Sequence, residues 1–154
     1  GIPAPATNEG ISFKPVLEGK KHVVRDTLYG VYNGGTKPGI RCVKQGDWKL
    51  IQYDVHNGKV REMQLFDLKK NPNEFLAEHH DPNVVARTGV KPAKHQVNLA
   101  GDPRYRGKLK EMQALLWAEM RRLDDPWRLW NQADDHLPPP PPPEPGQGKG
   151  SKKK

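Results

Sequence analysis

Between Thr27 and Leu68 the chain is cut into strand-length runs by turn-forming residues at short, regular intervals. Thr27-Leu-Tyr-Gly-Val-Tyr32 is rich in β-branched and aromatic residues and ends in Asn33-Gly34-Gly35, a turn composition. Ile40-Arg-Cys-Val-Lys44 follows, then Gln45-Gly46-Asp47, then Trp48-Lys-Leu-Ile-Gln-Tyr-Asp-Val55. Asn57-Gly58 supplies two positive φ angles cheaply, as a tight hairpin requires, and a last run extends from about Met63 to Leu68. The pattern predicts an antiparallel meander of about four strands. In the third run Trp48 and Leu50 face one way while Ile51, Tyr53 and Val55 face the other, which points to a strand covered on both sides.

One long helix follows. Asp102 is placed to cap it, Pro103 suits a first helical position, and the pattern continues to Leu123 before Asp124-Asp125-Pro126 stops it. Leu109, Met112, Leu116, Met120 and Leu123 form a single stripe, with Lys108, Lys110, Arg121 and Arg122 outside it. The expected fold class is therefore α+β: a four-stranded antiparallel sheet with one long C-terminal amphipathic helix packed on it. Trp117, Trp127 and Trp130 lie away from the stripe, and large aromatics off the self-packing face point to a second surface to cover.

The flanks read differently. Residues 1–22 form an irregular lead-in, interrupted by Pro3, Pro5 and Pro15, with at most a turn of helix around Pro15 to Gly19. The domain body is placed at residues 23–136. Within it, Asn71-Pro72-Asn73-Glu74 turns into a short helical stretch at Glu74 to Glu78. Beyond Asp81-Pro82 no sustained period appears, and about twenty residues without structure are expected to be functional or to lie on a larger partner. Residues 137–154 begin with a run of prolines and end in lysines. They are expected to form a disordered tail with a polyproline II rod of ~19 Å.

Composition narrows the function classes. The formal charge is +8, but four lysines and one glutamate lie in the last 18 residues, which leaves the body at +5. That charge, with no nucleic-acid module signature and aromatics in core-like rows, argues against nucleic acid as a partner. No apolar run approaches the ~20 residues a spanning helix needs. One cysteine, Cys42, excludes an internal disulfide framework and a multi-cysteine zinc site. It reads as a small buried hydrophobe rather than a nucleophile. His79, His80, Asp81 and His95 lack zinc spacing, so no metal site is expected. Gly1 to Gly10 has neither the charged region nor the apolar core of an export signal.

The order of motifs carries more information than any one of them. Gly10-Ile-Ser-Phe-Lys-Pro-Val-Leu-Glu-Gly19 precedes Arg25-Asp-Thr-Leu-Tyr-Gly-Val-Tyr32. Then come Ile40-Arg-Cys-Val-Lys-Gln-Gly-Asp-Trp-Lys-Leu-Ile-Gln-Tyr53, Gln64-Leu-Phe-Asp-Leu-Lys-Lys-Asn-Pro-Asn-Glu74, and a helix ending Met120-Arg-Arg-Leu-Asp-Asp-Pro126. Over about Gly1 to Pro126 this resembles the C-terminal subdomain of the formylglycine-dependent sulfatases, which include arylsulfatases, iduronate sulfatases and heparan N-sulfatases. Lys44, Gln64 and Asn71 stand where that family often has Arg, Glu and Asp.

The resemblance implies a parent enzyme that cleaves sulfate esters with a hydrated formylglycine beside a calcium ion. The formylglycine comes from a C/S-x-P-S/A-R motif, and none is present: Cys42 is followed by Val-Lys-Gln, Ser12 by Phe-Lys-Pro, and Ser151 by lysines. No catalytic residue, cofactor or metal ligand is therefore expected in this chain; calcium belongs to the implied parent. The expected role is that of a sulfatase fragment that packs on a catalytic domain upstream and helps shape a cleft for a sulfated glycan. Tyr32, Asn33, Arg41 and His56 are the candidates for facing that cleft. The alternative is a free-standing basic module that binds anionic polysaccharide or protein. The parent family is often periplasmic, secreted or lysosomal, and the sequence leaves location open.

Overall fold

The computed structural model describes residues 5, 10–35, 37–79 and 81–132. Four strands, β1 (Thr27–Tyr32), β2 (Gly39–Gln45), β3 (Trp48–Val55) and β4 (Val60–Asp67), form one antiparallel sheet in the order β1-β2-β3-β4. A short helix α1 (Lys14–Leu17) precedes the sheet; α2 (Pro82–Thr88) and the 17-residue α3 (Arg106–Arg122) follow it. The expected meander and its closing helix are both present.

Register explains the core. Tyr29 lies opposite Val43, Val43 opposite Leu50, and Leu50 opposite Leu65, so one row of side chains crosses all four strands on one face. Val43, Leu50 and Leu65 are fully buried there beneath Met112, Leu116 and Met120 of α3. Leu129, beyond the helix, folds back into the same cluster. Burying such a side chain contributes ~1.5–3 kcal/mol, so this row is the main source of stability.

The other face is covered only in part. Phe66 is buried on it, and Glu74 crosses to pair with Lys49, the register partner of Phe66, at 2.6 Å. Ile40, Cys42, Ile51, Tyr53 and Val55 on that face are only half-buried. The cover expected on both sides of β3 thus exists in full on the Leu50 side alone, because the described residues contain one long helix.

Several local expectations shift. Asp102 does cap, accepting from Arg104 N at 2.9 Å, but the capped element is a 3₁₀ turn at Pro103–Tyr105, and α3 begins at Arg106. Leu123 falls past the end of α3 and is exposed, because Asp124 takes a positive φ of 51° and turns the chain away. Trp117 packs against the core cluster, Trp127 is half-buried, and Trp130 is the exposed one of the three. The short helical turn after β4 sits at Ala77–His79, since Glu74 has φ 55° and cannot start it.

Beyond Asp81-Pro82, where no structure was expected, α2 forms. Asp81 accepts from Asn83 N at 2.6 Å, Pro82 takes a first-turn position, and Gly89 ends the helix with φ 68°. None of its residues is buried, so it has no apolar stripe for a periodicity search to find. The segment rejoins the body at Asn98, whose amide accepts from Leu65 N (3.1 Å) and donates to Met63 O (2.8 Å). These bonds satisfy the outer edge of β4 as a further strand would. In the lead-in, α1 buries nothing, and Phe13 and Leu17 are 68% and 85% exposed. The expected proline and lysine tail lies outside the described residues.

Candidate functional site

The four residues singled out in the sequence lie at one end of the sheet. Tyr32 ends β1 and Asn33 follows it, Arg41 stands near the start of β2, and His56 follows β3. The antiparallel register, Tyr32 opposite Ile40 and Val55 opposite Val60, brings the β1–β2 and β3–β4 connections to that end. His56, Asn57 and Gly58 all take positive φ in the β3–β4 connection, a wider turn than the Asn-Gly pair alone predicts. His56 is exposed at its start.

Arg41 and Asn33 are brought together. Arg41 Nη1 donates to Asn33 Oδ1 at 2.9 Å and to the Pro38 carbonyl. Its Nε and Nη2 donate to the two carboxylate oxygens of Asp125 at 2.9 and 3.0 Å. The guanidinium is 1% exposed, so its charge is committed inside the fold. Tyr32 projects from the opposite face of the sheet, in register with Ile40, and is 67% exposed.

No local pattern singles out Tyr29 or Asp125. Asp125 was legible only as part of a helix stop, yet it also accepts from the Tyr29 hydroxyl and from Trp127 N at 3.0 Å. Burial works against its charge, but the bonds from Arg41, Tyr29 and Trp127 outweigh it and hold the carboxyl below the usual range. Burial and the neighbouring carboxylate push the Tyr29 hydroxyl far up. Beside this network lies an open depression of about 390 Å³, walled by Val31, Asn33 and Trp127, with Lys37 Nζ 5.0 Å from the Trp127 ring centre.

Gly39 shapes the foot of the β1–β2 connection. Its φ is 90°, and a Cβ there would meet the Tyr32 carbonyl oxygen at 2.6 Å and Asn33 Cα at 2.9 Å. Only glycine lets the connection close on Arg41.

Cys42 is half-buried opposite Gly30, and burial pushes its thiol up, away from the thiolate form. Among the described residues no three His, Cys, Asp or Glu side chains converge on a point that could hold a metal ion. His79 is exposed, His95 lines a separate cavity, and His80 lies outside the described residues. No described helix is long and apolar enough to cross a membrane.

Comparison with known proteins gives the arrangement its context. No protein-family model matches the chain. It is 32% identical over 133 residues to a Delta 4,5-hexuronate-2-O-sulfatase of Bacteroides thetaiotaomicron, a match that covers 83% of this chain and 22% of that protein. Its fold matches part of the solved structure of BT4656 in complex with its substrate, D-glucosamine-2-N,6-O-disulfate. There the TM-score is 0.54 with 22% identity, over 80% of this chain and 22% of that one. The chain thus spans about a fifth of the length of either. A capped four-stranded meander that matches part of a sulfatase in sequence, and whose fold recurs as part of a larger solved chain, supports a sulfatase-family C-terminal domain.

Proposed function

We propose that this domain packs on the catalytic domain of a sulfatase, helps shape the cleft that admits a sulfated sugar, and has no hydrolytic activity alone. The observation that carries the reading is the one-sided cover of the sheet. Ile40, Cys42, Ile51, Tyr53 and Val55 make a half-buried apolar band opposite α3, and Leu28 and Tyr32 extend it over β1. Exposed apolar patches of this kind mark contact surfaces. Phe13 and Leu17 of the lead-in add apolar surface that the domain itself leaves uncovered.

The cleft-facing end would be the one that carries Tyr32, Asn33 and His56. Arg41 acts there through Asn33: it holds the connection in place and its charge stays with Asp125. The similarity to a Delta 4,5-hexuronate-2-O-sulfatase supports an anionic sugar as the substrate class of the parent. Nucleophile and calcium would be supplied by the catalytic domain.

The gene supplies the first test. A reading frame that continues upstream of Gly1 into a C/S-x-P-S/A-R motif supports the proposal; a start codon with its own ribosome site directly before Gly1 favours the free-standing binding module. In the longer enzyme, Ile51→Glu should lower the melting temperature of the catalytic portion while the isolated 154-residue chain melts nearly as before. Turnover of an aryl sulfate by the isolated chain would overturn the reading.

A further inference from the structure

At the opposite end of the sheet from Tyr32 and His56, a cavity of about 260 Å³ lies between the end of β4, the segment before the Leu99 turn, and the turn that leads into α3. Phe66, Val97, Leu99 and Tyr105 give it apolar lining, and the nitrogen-bearing Lys70, Lys94, His95 and Arg104 line it as well. Its two carboxylates are already engaged: Asp67 with Lys70 at 3.2 Å and Asp102 with Arg104 at 2.6 Å. Among the described residues nothing pairs with Lys94 or His95. The cavity therefore presents one uncommitted ammonium and one imidazole, with no uncommitted carboxylate.

This cationic lining is held in place. Lys94 and His95 sit at the tip of a turn closed by Gln96 N to Ala93 O (2.9 Å) and Ala93 N to Gln96 Oε1 (2.7 Å). Gln96 Nε2 donates to the buried Asn71 Oδ1 at 3.0 Å, and Gln96 O accepts from Ala77 N at 2.8 Å. Asn71 also donates to Phe75 O and accepts from Phe75 N, so one buried amide fixes both chain segments beside the cavity. Trp48 backs Tyr105, with ring centres 5.8 Å apart. Groups that need no ordering on binding retain more of their interaction energy.

We propose that this cavity binds one anionic monosaccharide unit, its ring against Tyr105 and the apolar wall and its sulfate or carboxylate on Lys94 and His95. The volume lies just under the ~300 Å³ lower bound of drug-sized pockets, which suits a single ring rather than a long chain. Ammonium and imidazole donors suit an anionic oxygen. The sugar part of the proposal rests on the anionic-sugar reading above; the cationic lining stands without it.

The test is an amide-shift titration of the isotope-labelled 154-residue chain. Glucosamine 6-sulfate or glucuronate should shift Lys94 to Gln96, Leu99 and Tyr105 saturably, and comparison of the two tells which charge the lining prefers. N-acetylglucosamine should leave them unmoved. A Lys94→Ala/His95→Ala double variant, altered at two exposed positions, should keep the rest of the spectrum and weaken binding by roughly tenfold or more, the loss of charged hydrogen bonds. Shifts confined to the C-terminal lysines, equal response to inorganic sulfate alone, or unchanged binding by the double variant would overturn the proposal. None of these outcomes depends on the gene-level test of the parent enzyme.

Discussion

Arg41 and Asp125, 84 positions apart, meet in a two-pronged ion pair buried between the start of β2 and the segment after α3. The pair ties the C-terminal segment to the sheet in addition to the packing of Leu129 in the core. Removing one partner leaves a buried charge alone, which costs ~3–5 kcal/mol. Arg41→Met and Asp125→Ala should each lower the unfolding free energy, read from urea denaturation, by that amount. The Arg41→Met/Asp125→Leu double variant should recover most of the loss, and a double variant no more stable than either single one would show that the pair matters through something other than charge.

The same cluster sets the pH limits. The Asp125 carboxyl is depressed in the fold, so its stabilisation is present above the unfolded value near ~3.9 and is lost as pH falls below it. Tyr29 is raised, so its contribution is present below ~10 and is lost as pH climbs beyond that through its folded value. Melting temperature should therefore drop at both extremes. Tyr29→Phe should flatten the alkaline limb and Asp125→Asn the acid limb; limbs that keep their slope would place the titrating groups elsewhere.

Asn98 supplies both halves of a backbone-like pairing to β4. Asn98→Ala strands Leu65 N–H and Met63 C=O, at a cost of ~1–3 kcal/mol. Hydrogen exchange at Leu65 should speed up sharply while that at Val43, on an inner strand, changes only by the global loss. Equal acceleration at both sites would mean that the amide supports the whole domain rather than one edge.

Two glycines with positive φ should respond unequally to alanine. At Gly46 (φ 55°) a Cβ meets nothing within 4 Å, so the cost is the left-handed backbone alone, ~1–2 kcal/mol. At Gly39 the same penalty is joined by the clash with Tyr32 O and Asn33 Cα, and the loss should be clearly larger. Thermal melts of the two variants side by side decide the point.

The strands were legible because their limits are written in local chemistry. Gly46-Asp47 and Asn57-Gly58 mark chain reversals wherever they occur, and the alternation through Val43 and Leu50 names the inner face. The stripe of α3 was legible for the same reason, up to Leu123, where Asp124 redirects the backbone. The helix α2 was missed because it is held by its caps and buries nothing, although Asp81-Pro82 and Gly89 were visible signals. Arg41 could be singled out as a basic residue near a turn. That its charge is consumed by Asp125 depends on a contact across 84 positions, which no local pattern encodes. The cavity beneath Lys94 and His95 was hidden for the same reason: Asn71 and Gln96 become neighbours only after the chain has folded.

Gly39 and Arg41 pin the root of the β1–β2 connection, and above it Gly34 and Gly35 take positive φ, with a Cβ on Gly34 set to meet the Tyr32 ring at 2.5 Å. Sister domains should consequently keep small residues along the loop and diverge at the exposed Lys37. A designer who wishes to retune what approaches this rim would vary Lys37 and leave the glycines untouched.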